Sequence, residues 1–306
     1  DDSRWRQAER VKTPAPVVRA QINPNIEVMD SVAPRSIYRT ADGRYIMDMG
    51  QNMVGWLRIR LRGDEGDTLR LRFAERMKDC DSLFMLNLRT ALVTDTYVSA
   101  HKAATWEPRF TLHGFRFVEL SGFKRQPSLA DIQGRVVYDR MATTGTFDTS
   151  DPTINAVYHC AVWGIRSNYR GIPTDCPQRD ERLGWLGDRV TGCFGENLLL
   201  DNAALYYKWL RDIEDTQRED GLVADISPTF LNHYTENVTW QAAFVYATYM
   251  LFTHTADRFL DAFPQLIIIM YIGLQSQLLS HLGHFAQTVI IDCGGQHGTV
   301  GDAFRV

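Results

Sequence analysis

A short polar segment of the chain gathers side chains that could carry out acid–base chemistry. The segment IPTDCPQRDERLGWLGD contains four carboxylates, two arginines and a tryptophan: Asp175, Asp180, Glu181, Asp188, Arg179, Arg182 and Trp185. Hydrolysis of a glycoside needs one carboxylic acid to protonate the leaving oxygen and a second carboxylate to activate water or attack the sugar. An aromatic ring beside carboxylates is a common arrangement for stacking a sugar. A surface lattice of ion pairs would have the same composition, so spacing alone leaves both interpretations open.

The same segment is predicted to be a loop. Pro173 and Pro177 prevent a continuous helix through its first half, because each lacks an amide donor and restricts the residue before it. Gly184 and Gly187 permit sharp bends in its second half. Because segments with apolar periodicity flank it on both sides, we expect a loop held over a scaffold, where binding and catalytic residues are often found.

The run PTDCPQRDERLGWLGD closely resembles the signature of the bacterial α-L-rhamnosidases of glycoside hydrolase family 78. The family usually has threonine at the position of Leu186, which is a small departure. The resemblance implies that Glu181 is the general acid and that Trp185 forms a wall of a rhamnose pocket. Trp240, in the sequence NVTW, resembles an aromatic residue that borders the pocket in a subset of the family. The resemblance further implies that three residues hold the sugar hydroxyls: Asp175, Arg179 and Asp188.

The protonation state of Glu181 depends on its charged neighbours. Nearby carboxylates would raise its pKa and keep it in the acid form, whereas nearby arginines would lower it. The carboxylates are Asp175, Asp180 and Asp188, and the arginines are Arg179 and Arg182. The sequence does not decide which influence is larger.

The composition is that of an ordinary globular protein, with 44% hydrophobic and 23% charged residues. A chain of 306 residues is expected to form two domains. The net charge of −4 gives no support for a nucleic acid or an anionic membrane as partner. The five cysteines show neither a CxxC pair nor a zinc-like histidine spacing, so we expect reduced thiols, no metal site and no cofactor. Cys176, inside the signature, is expected to be structural.

Residues from about Arg35 to Val137 are predicted to be antiparallel β-structure. Apolar residues alternate with arginines over 57–62 and 69–73, as in half-buried strands. Short strands separated by turns favour a β-sandwich, and DMGQNMVGW and FTLHGFRFVEL resemble the β-sandwich domain that precedes the catalytic domain of the family. We assign this domain to residues 21–142 and residues 1–20 to a linker or the remnant of a preceding domain. Four aromatic residues are expected to serve core or interdomain packing rather than a sugar platform: Trp56, Trp106, Phe110 and Phe115.

The pattern becomes helical after residue 143. Asp151 followed by Pro152 predicts a helix start, and apolar residues at helical spacing from Ile154 to Ile165 predict an amphipathic helix. Three more helices are predicted: 189–199 with Asp188 as N-cap, 202–219, and 240–253, which is apolar on nearly every face and therefore expected to be buried.

Helical periodicity alone supports an all-α domain. The family resemblance implies more, namely an incomplete (α/α)6 barrel over residues 143–306, with an atypical tail from about residue 258. Asp225 and His233 lie on the loop before Trp240, where they could face the sugar pocket or belong to a solvated loop.

Two classes of function follow. The resemblance implies an inverting glycosidase that removes terminal α-L-rhamnosyl residues from glycosides or polysaccharides. The alternative is a non-catalytic rhamnose-binding protein, and an incomplete chain with neither activity is a third possibility. The N-terminal residues lack the pattern of a signal peptide, and a cytoplasmic or a periplasmic location in a bacterium stays open.

The second carboxylate is the weak point of the enzymatic interpretation. In the family pattern the base is a glutamate far downstream of the signature, beyond the last residue of this chain. Glu236 is the one plausible substitute, because the other glutamates after the signature lie in or at the ends of predicted helices. We therefore expect slow or undetectable rhamnoside cleavage, together with self-association through uncovered apolar helix faces.

Overall fold

The computed structural model describes residues 3–12, 17–61, 63–100, 103–235 and 237–255. Glu236 and the predicted tail from about residue 258 lie outside the described residues. A sheet domain comes first along the chain, and a helical region follows it. The antiparallel β-structure and the helical region predicted from the sequence are both confirmed.

The sheet domain is built on one antiparallel sheet of eight strands with the path β1-β10-β3-β9-β4-β7, in which β2 and β8 also pair with β3. The other two strands, β5 and β6, form a separate hairpin. The register of β3 against β9 shifts between Asp48 and Met53, and such irregularities bend and twist a sheet. The strands are β1 (Ile26–Val32), β2 (Ser36–Arg39), β3 (Tyr45–Leu61), β4 (Thr68–Ala74), β5 (Met77–Asp79), β6 (Ser82–Leu83), β7 (Thr94–Val98), β8 (Ala104–Trp106), β9 (His113–Ser121) and β10 (Ile132–Asp139).

The predicted alternation in β3 and β4 is present. Leu57, Ile59 and Leu61 are buried, and Arg58 and Arg60 between them are exposed. Burying each such apolar side chain stabilises the fold by about 1.5–3 kcal/mol relative to leaving it in water. The pattern therefore defines which face of the sheet covers the core.

The packing predicted for four aromatic residues holds only in part. Phe115 is fully buried, and Trp106 packs partly buried against the same core, with its ring 5.4 Å from that of Tyr97. Trp56 is partly buried and donates a hydrogen bond from Nε1 to Glu107. Phe110 contradicts the prediction, because its side chain is fully exposed. It lies outside any strand with a φ of 61°, so no sheet face directs it inward.

The helical region contains five helices within the described residues: α1 (Pro152–Arg166), α2 (Gly187–Val190), α3 (Cys193–Leu199), α4 (Ala203–Glu214) and α5 (Val238–Thr255). The single helix predicted over 189–199 is wrong, because α2 and α3 are separate. Thr191 and Gly192 lie between them, and glycine is a poor helix former. Asp188 is not an N-cap either. Leu186 occupies that position without a side-chain cap, and Asp188 lies inside the first turn.

The helix predicted over 202–219 ends earlier, at Glu214. Thr216 then donates a side-chain hydrogen bond to the carbonyl of Ile213 (2.7 Å) and accepts one from the amide of Ala224 (3.2 Å). This hydroxyl pairs with the Ile213 carbonyl, which a backbone amide would bind in a longer helix. The residues after α4 can therefore turn back towards the signature segment.

Two helix faces differ from what their patterns predict. Asp151 caps α1 as expected, accepting from the amide of Thr153 at 2.7 Å. The first half of the apolar face of α1 is nevertheless uncovered by the described residues, since Ile154 is 48% and Val157 65% exposed, whereas Ile165 near its end packs against the helical core. The last helix, α5, was predicted to be buried, but among the described residues only one of its faces packs, and Val245 and Tyr246 are exposed. The period of a helix shows which residues share a face, but not whether another element covers that face.

The core of the helical region joins α3, α4 and α5 to the signature segment. Trp209, Leu210 and Phe244 are fully buried in it, and Leu186 of the signature packs with them. No helix among the described residues is both long and apolar enough to cross a membrane.

Candidate active site

The signature segment, residues 172–188, is here called the signature loop; it runs as an extended loop after α1 and ends in the first two residues of α2. Isolated bridges pair Tyr169 with Pro173 and Trp185 with Ile226. Gly184 is required where the loop passes the backbone of Ser227, because a β-carbon there would lie 2.1 Å from the Ser227 carbonyl oxygen. The predicted loop is confirmed, and the helical core supports it from below.

Asp175 closes the signature loop on itself. Its backbone amide donates to the carbonyl of Leu183 (2.9 Å), and its Oδ1 accepts from the amide of Leu183 (2.7 Å). Its Oδ2 accepts from Nη2 of Arg179 (2.9 Å), and the side chain is buried. Both carboxylate oxygens are therefore engaged inside the loop, so Asp175 fixes its shape.

Glu181 lies at the centre of the site, and each of its two carboxylate oxygens has a polar partner. Its Oε1 accepts from the indole Nε1 of Trp185 at 2.9 Å. Its Oε2 accepts from Nε of Arg179 at 2.8 Å and lies 2.8 Å from Nη1 of Arg89, a residue of the sheet domain. The side chain keeps 17% of its surface accessible, so a bound molecule can reach it.

The structure decides the balance of charges that the sequence left open. Desolvation is the largest single influence on the Glu181 carboxyl and raises its pKa, but it is outweighed. Hydrogen bonds from Arg179 and Trp185, together with the charges of Arg179 and Arg89, hold the pKa of Glu181 below its ordinary value. With these contacts Glu181 is a carboxylate at neutral pH.

Two of the charged residues named from the sequence have partners other than Glu181. Arg182 donates from Nη2 to the carbonyl of Leu112 in the sheet domain (3.1 Å) and does not pair with Glu181. Asp180 is exposed and accepts a hydrogen bond from the hydroxyl of Thr90. The cation that the sequence analysis missed is Arg89, which is distant in sequence and belongs to no recognisable motif.

Asp188 and Trp240 lie at the end of the signature loop. Asp188 is exposed, and partial desolvation, followed by repulsion from Asp175 and also from Glu181, raises its pKa above the ordinary value. The Trp240 ring lies so close to Gly187 that a β-carbon there would come within 2.3 Å of it. The indole Nε1 of Trp240 is buried and has no hydrogen-bond partner among the described residues.

The loop that precedes α5 also reaches the site. The ring of His233 meets that of Trp185 edge to face, with centroids 5.4 Å apart. Asp225 is buried, accepts from the hydroxyl of Thr235 (2.7 Å) and lies 3.6 Å from Nε2 of His233. His233 therefore borders Trp185, whereas Asp225 holds the loop from inside.

A buried network supports the signature loop from below. Glu196 accepts from Nη1 of Arg189 (2.8 Å), from the hydroxyl of Tyr206 (2.6 Å) and from the hydroxyl of Tyr169. Nη2 of Arg189 donates to the carbonyl of Thr174 (2.6 Å), the residue before Asp175. Burial raises the pKa of both tyrosines well above the ordinary value. The sequence placed Glu196 in a helix and gave no sign of this network.

One cluster of potential metal ligands occurs among the described residues. The ligand atoms of Asp175, Cys176 and Glu181 lie within 4.8 Å of one another. The guanidinium of Arg179 bridges the two carboxylates, so a cation there would meet a fixed positive charge. Burial raises the pKa of Cys176 to about 11, which keeps the thiol protonated and a poor ligand or nucleophile.

Comparison with known proteins accounts for both parts of the chain. Residues 38–138 match the bacterial alpha-L-rhamnosidase concanavalin-like domain, and residues 142–266 match the bacterial alpha-L-rhamnosidase 6 hairpin glycosidase domain. An alpha-L-rhamnosidase of Streptomyces avermitilis is 36% identical over 268 residues, which are 86% of this chain and 26% of that protein. One from Formosa agariphila is 32% identical over 84% of this chain and 28% of its own length. The chain thus spans little more than a quarter of these relatives.

Solved structures agree with this assignment. The alpha-L-rhamnosidase of Dictyoglumus thermophilum superposes with a TM-score of 0.81 at 35% identity, over 85% of this chain and 30% of that chain. The Streptomyces avermitilis enzyme complexed with L-rhamnose gives a TM-score of 0.80 at 35% identity, over 86% and 25%. With both characteristic domains matched in order, the chain belongs to the bacterial α-L-rhamnosidase family.

Proposed function

We propose that this chain carries the general-acid part of the active site of a glycoside hydrolase that removes terminal α-L-rhamnosyl residues with inversion. The observation that carries the proposal is the Glu181 carboxylate, held between Arg179 and Trp185 in the signature loop. The names of the relatives, one of them solved with L-rhamnose, support rhamnose-containing glycosides or polysaccharides as substrates. The activity of the whole protein is part of the proposal, because the chain spans about a quarter of these relatives.

The residues of the site would divide the reaction as follows. Protonated Glu181 gives its proton to the glycosidic oxygen, and the leaving group departs as a neutral alcohol. A second carboxylate takes a proton from the water that attacks the anomeric carbon on the opposite face. Trp185 and Trp240 would form walls of the sugar pocket. Arg179 and Asp188 would hold hydroxyls, while Asp175 would act mainly by holding the loop in shape.

The acid role places a condition on Glu181. A general acid works best when its pKa lies near the working pH, whereas the contacts of Glu181 hold its pKa below the ordinary value. Substrate binding must therefore change those contacts before proton transfer. Displacing one donor or cation from the carboxylate would raise the pKa in the required direction.

The architecture around the site is also proposed. We propose a β-sandwich domain over residues 21–142, preceded by a linker or domain remnant over 1–20, and part of an (α/α)6 barrel from residue 143. The two matched regions change over between residues 138 and 142, which supports this boundary. The role of Glu236 as a substitute base, slow turnover by this chain and self-association stay predictions.

The test uses the full protein with an aryl rhamnoside, a rhamnosyl disaccharide and free rhamnose. Nuclear magnetic resonance of the first product formed distinguishes inversion from retention, and calorimetry measures rhamnose binding. Turnover with inversion supports the proposal. Rhamnose binding without turnover would favour a non-catalytic binding protein, and the absence of both would contradict both functions.

A further inference from the structure

Arg89 of the sheet domain enters the site from a strained loop. It directly follows a 3-10 helix, Leu86–Leu88, whose last residue, Leu88, is buried in the sheet core. Its backbone has φ 55° and ψ −118°, a conformation that glycine adopts readily and that costs other residues about 1–3 kcal/mol. Strained residues of this kind cluster at functional sites. An arginine in this conformation with its head on Glu181 therefore calls for a functional explanation.

The sheet domain holds the signature loop at several points around this contact. The hydroxyl of Thr90, next to Arg89, donates to Asp180, next to Glu181. Gly114 lies against Gln178 so closely that a β-carbon at Gly114 would come within 2.8 Å of the Gln178 β-carbon. The position of Arg89 relative to Glu181 is thus set by the contact between the two domains rather than by the chain near the signature.

Arg89 and Trp185 contact different oxygens of Glu181. Trp185 donates to Oε1, and His233 of the helical region packs against the Trp185 ring. Arg89 reaches Oε2 from the sheet domain, and Arg179 of the signature loop shares this oxygen. A general acid stands beside the bond between the sugar and its leaving group. If the sugar is held by the helical region, the leaving group extends towards the sheet domain and Arg89.

The chemistry of Arg89 indicates what kind of leaving group it would take. Its side chain is 55% exposed, and its Nη1 lies against Glu181. A guanidinium has five N–H donors in a planar fork that matches a carboxylate with two parallel hydrogen bonds. Asp180 is the neighbouring exposed anion, and its carboxylate already accepts from Thr90. A carboxylate is therefore the group that Arg89 would bind best.

We propose that Arg89 is a specificity-determining residue that binds the carboxylate of an acidic leaving group, such as a uronic acid, and in doing so withdraws from Glu181. This proposal rests on the proposed function, in which Glu181 is the general acid. It names the substrate class of the site as rhamnosides whose leaving group is anionic. The sheet domain then contributes directly to substrate choice.

Withdrawal of Arg89 has a consequence for the acid. Arg89 is one of the cations that hold the pKa of Glu181 down. When it turns to the leaving group, Glu181 loses that cation and gains an anion nearby, and both changes raise its pKa. An acidic leaving group would therefore favour the protonated form of Glu181, which then donates its proton to the glycosidic oxygen.

The experiment compares two disaccharides that differ in one group: rhamnosyl-glucose and rhamnosyl-glucuronic acid with the same linkage. The full protein, Arg89→Gly, Arg89→Lys and Arg60→Ala are assayed for kcat/KM on both. Arg89→Gly removes the side chain while suiting the backbone conformation, and Arg89→Lys keeps the charge without the fork. Arg60 is the matched control, because it is an exposed arginine of the same domain paired with Asp131.

We expect the wild type to prefer the glucuronic acid disaccharide. Arg89→Gly should reduce this preference, the ratio of the two kcat/KM values, by about 10- to 100-fold, the usual effect of losing a charged hydrogen bond. Arg89→Lys should recover part of the loss, and Arg60→Ala should match the wild type. An unchanged preference in Arg89→Gly, or equal losses of kcat/KM on both disaccharides, overturns the inference about Arg89 and leaves the proposed function intact. If the wild type cleaves neither disaccharide nor an aryl rhamnoside, the proposed function fails and this inference fails with it.

Discussion

Two of the arginine–glutamate networks among the described residues have ion pairs of the same length and opposite surroundings. In the signature loop, Arg179 lies 2.8 Å from Glu181, and in the network below it, Arg189 lies 2.8 Å from Glu196. The Glu181 side chain retains 17% of its exposure, whereas that of Glu196 retains 6%. The donors that complete the two sites differ as well: an indole and a second arginine for Glu181, two tyrosine hydroxyls for Glu196.

This difference indicates that the burial of the glutamate, rather than its pairing with an arginine, determines whether it serves a bound molecule or the structure. An accessible carboxylate with exchangeable donors can respond to a bound molecule. A buried carboxylate whose donors are all fixed can only stabilise the structure around it. Here Glu196 binds Arg189, which donates to the carbonyl of Thr174. Breaking a buried pair is costly because it leaves an uncompensated charge, so the two networks are expected to fail in different measurements.

The largest expected effect is on the rate. Glu181→Gln should lower cleavage of substrates with poor leaving groups by about 10²–10⁴-fold, since general acid catalysis typically contributes that much. Sugar affinity should stay within about tenfold of the wild type. Steady-state kinetics and rhamnose calorimetry measure the two quantities. Full activity of the variant on a natural rhamnoside would show that Glu181 is not the acid.

The next effect is on stability. Glu196→Gln should lower the free energy of unfolding by about 3–5 kcal/mol, because Arg189 would be left buried without its counter-charge. Glu214→Gln, which breaks the half-exposed pair between Arg211 and Glu214, is the matched control and should cost about 0–1 kcal/mol. Urea unfolding of both variants measures the difference. Equal losses in the two variants would contradict the role given to burial.

Asp175 and Asp188 sharpen the comparison within the signature loop itself. Asp175→Ala should weaken rhamnose binding by about 1.5–3 kcal/mol and also lower the free energy of unfolding, since its oxygens hold Leu183 and Arg179. Asp188→Ala should weaken binding by a similar amount without lowering the free energy of unfolding. Calorimetry and thermal unfolding separate the two outcomes. If neither variant loses affinity, both residues are structural.

The smallest effect is a dependence on pH with opposite signs at two carboxylates. The folded pKa of Glu181 is below its unfolded value of about 4.3, so its stabilising contribution is complete above that pH and is lost as pH falls through the folded pKa. The folded pKa of Asp188 is above its unfolded value of about 3.9, so stability is lost as pH rises through the interval between the two.

The measurement is the difference in Tm between wild type and variant from pH 3 to pH 7. The stabilisation that Glu181→Gln removes should shrink towards acid pH, and the penalty that Asp188→Asn relieves should appear only towards neutral pH. Parallel curves for the two variants would mean that these carboxylates keep their unfolded pKa values after folding.

The parts of the fold that could be read from the sequence are those set by local pattern. The alternation around Leu57 and Ile59 and the cap at Asp151 depend on neighbouring residues and were predicted correctly. The signature loop was also recognisable, because Pro173, Pro177 and Gly184 restrict its backbone locally. The break between α2 and α3 was missed because helical spacing continues across Gly192 although the helix does not.

The candidate site was predictable only for the residues inside the signature. Arg89, Thr90 and Leu112 come from the other domain, and no spacing in the sequence connects them to residues 172–188. Their contacts depend on how the two domains dock. For the same reason the direction of the Arg182 side chain could not be foreseen, since it is set by a carbonyl of the sheet domain.

The contact between Gly187 and Trp240 has a consequence for how this chain can change over evolutionary time. The indole lies on the backbone of residue 187, where even one extra carbon would come within 2.3 Å of the ring. A lineage that gains a side chain at position 187 must first, or at once, give up the large ring at position 240. The two positions are therefore expected to covary among descendants, with alanine or larger residues at the first found only where the second is small.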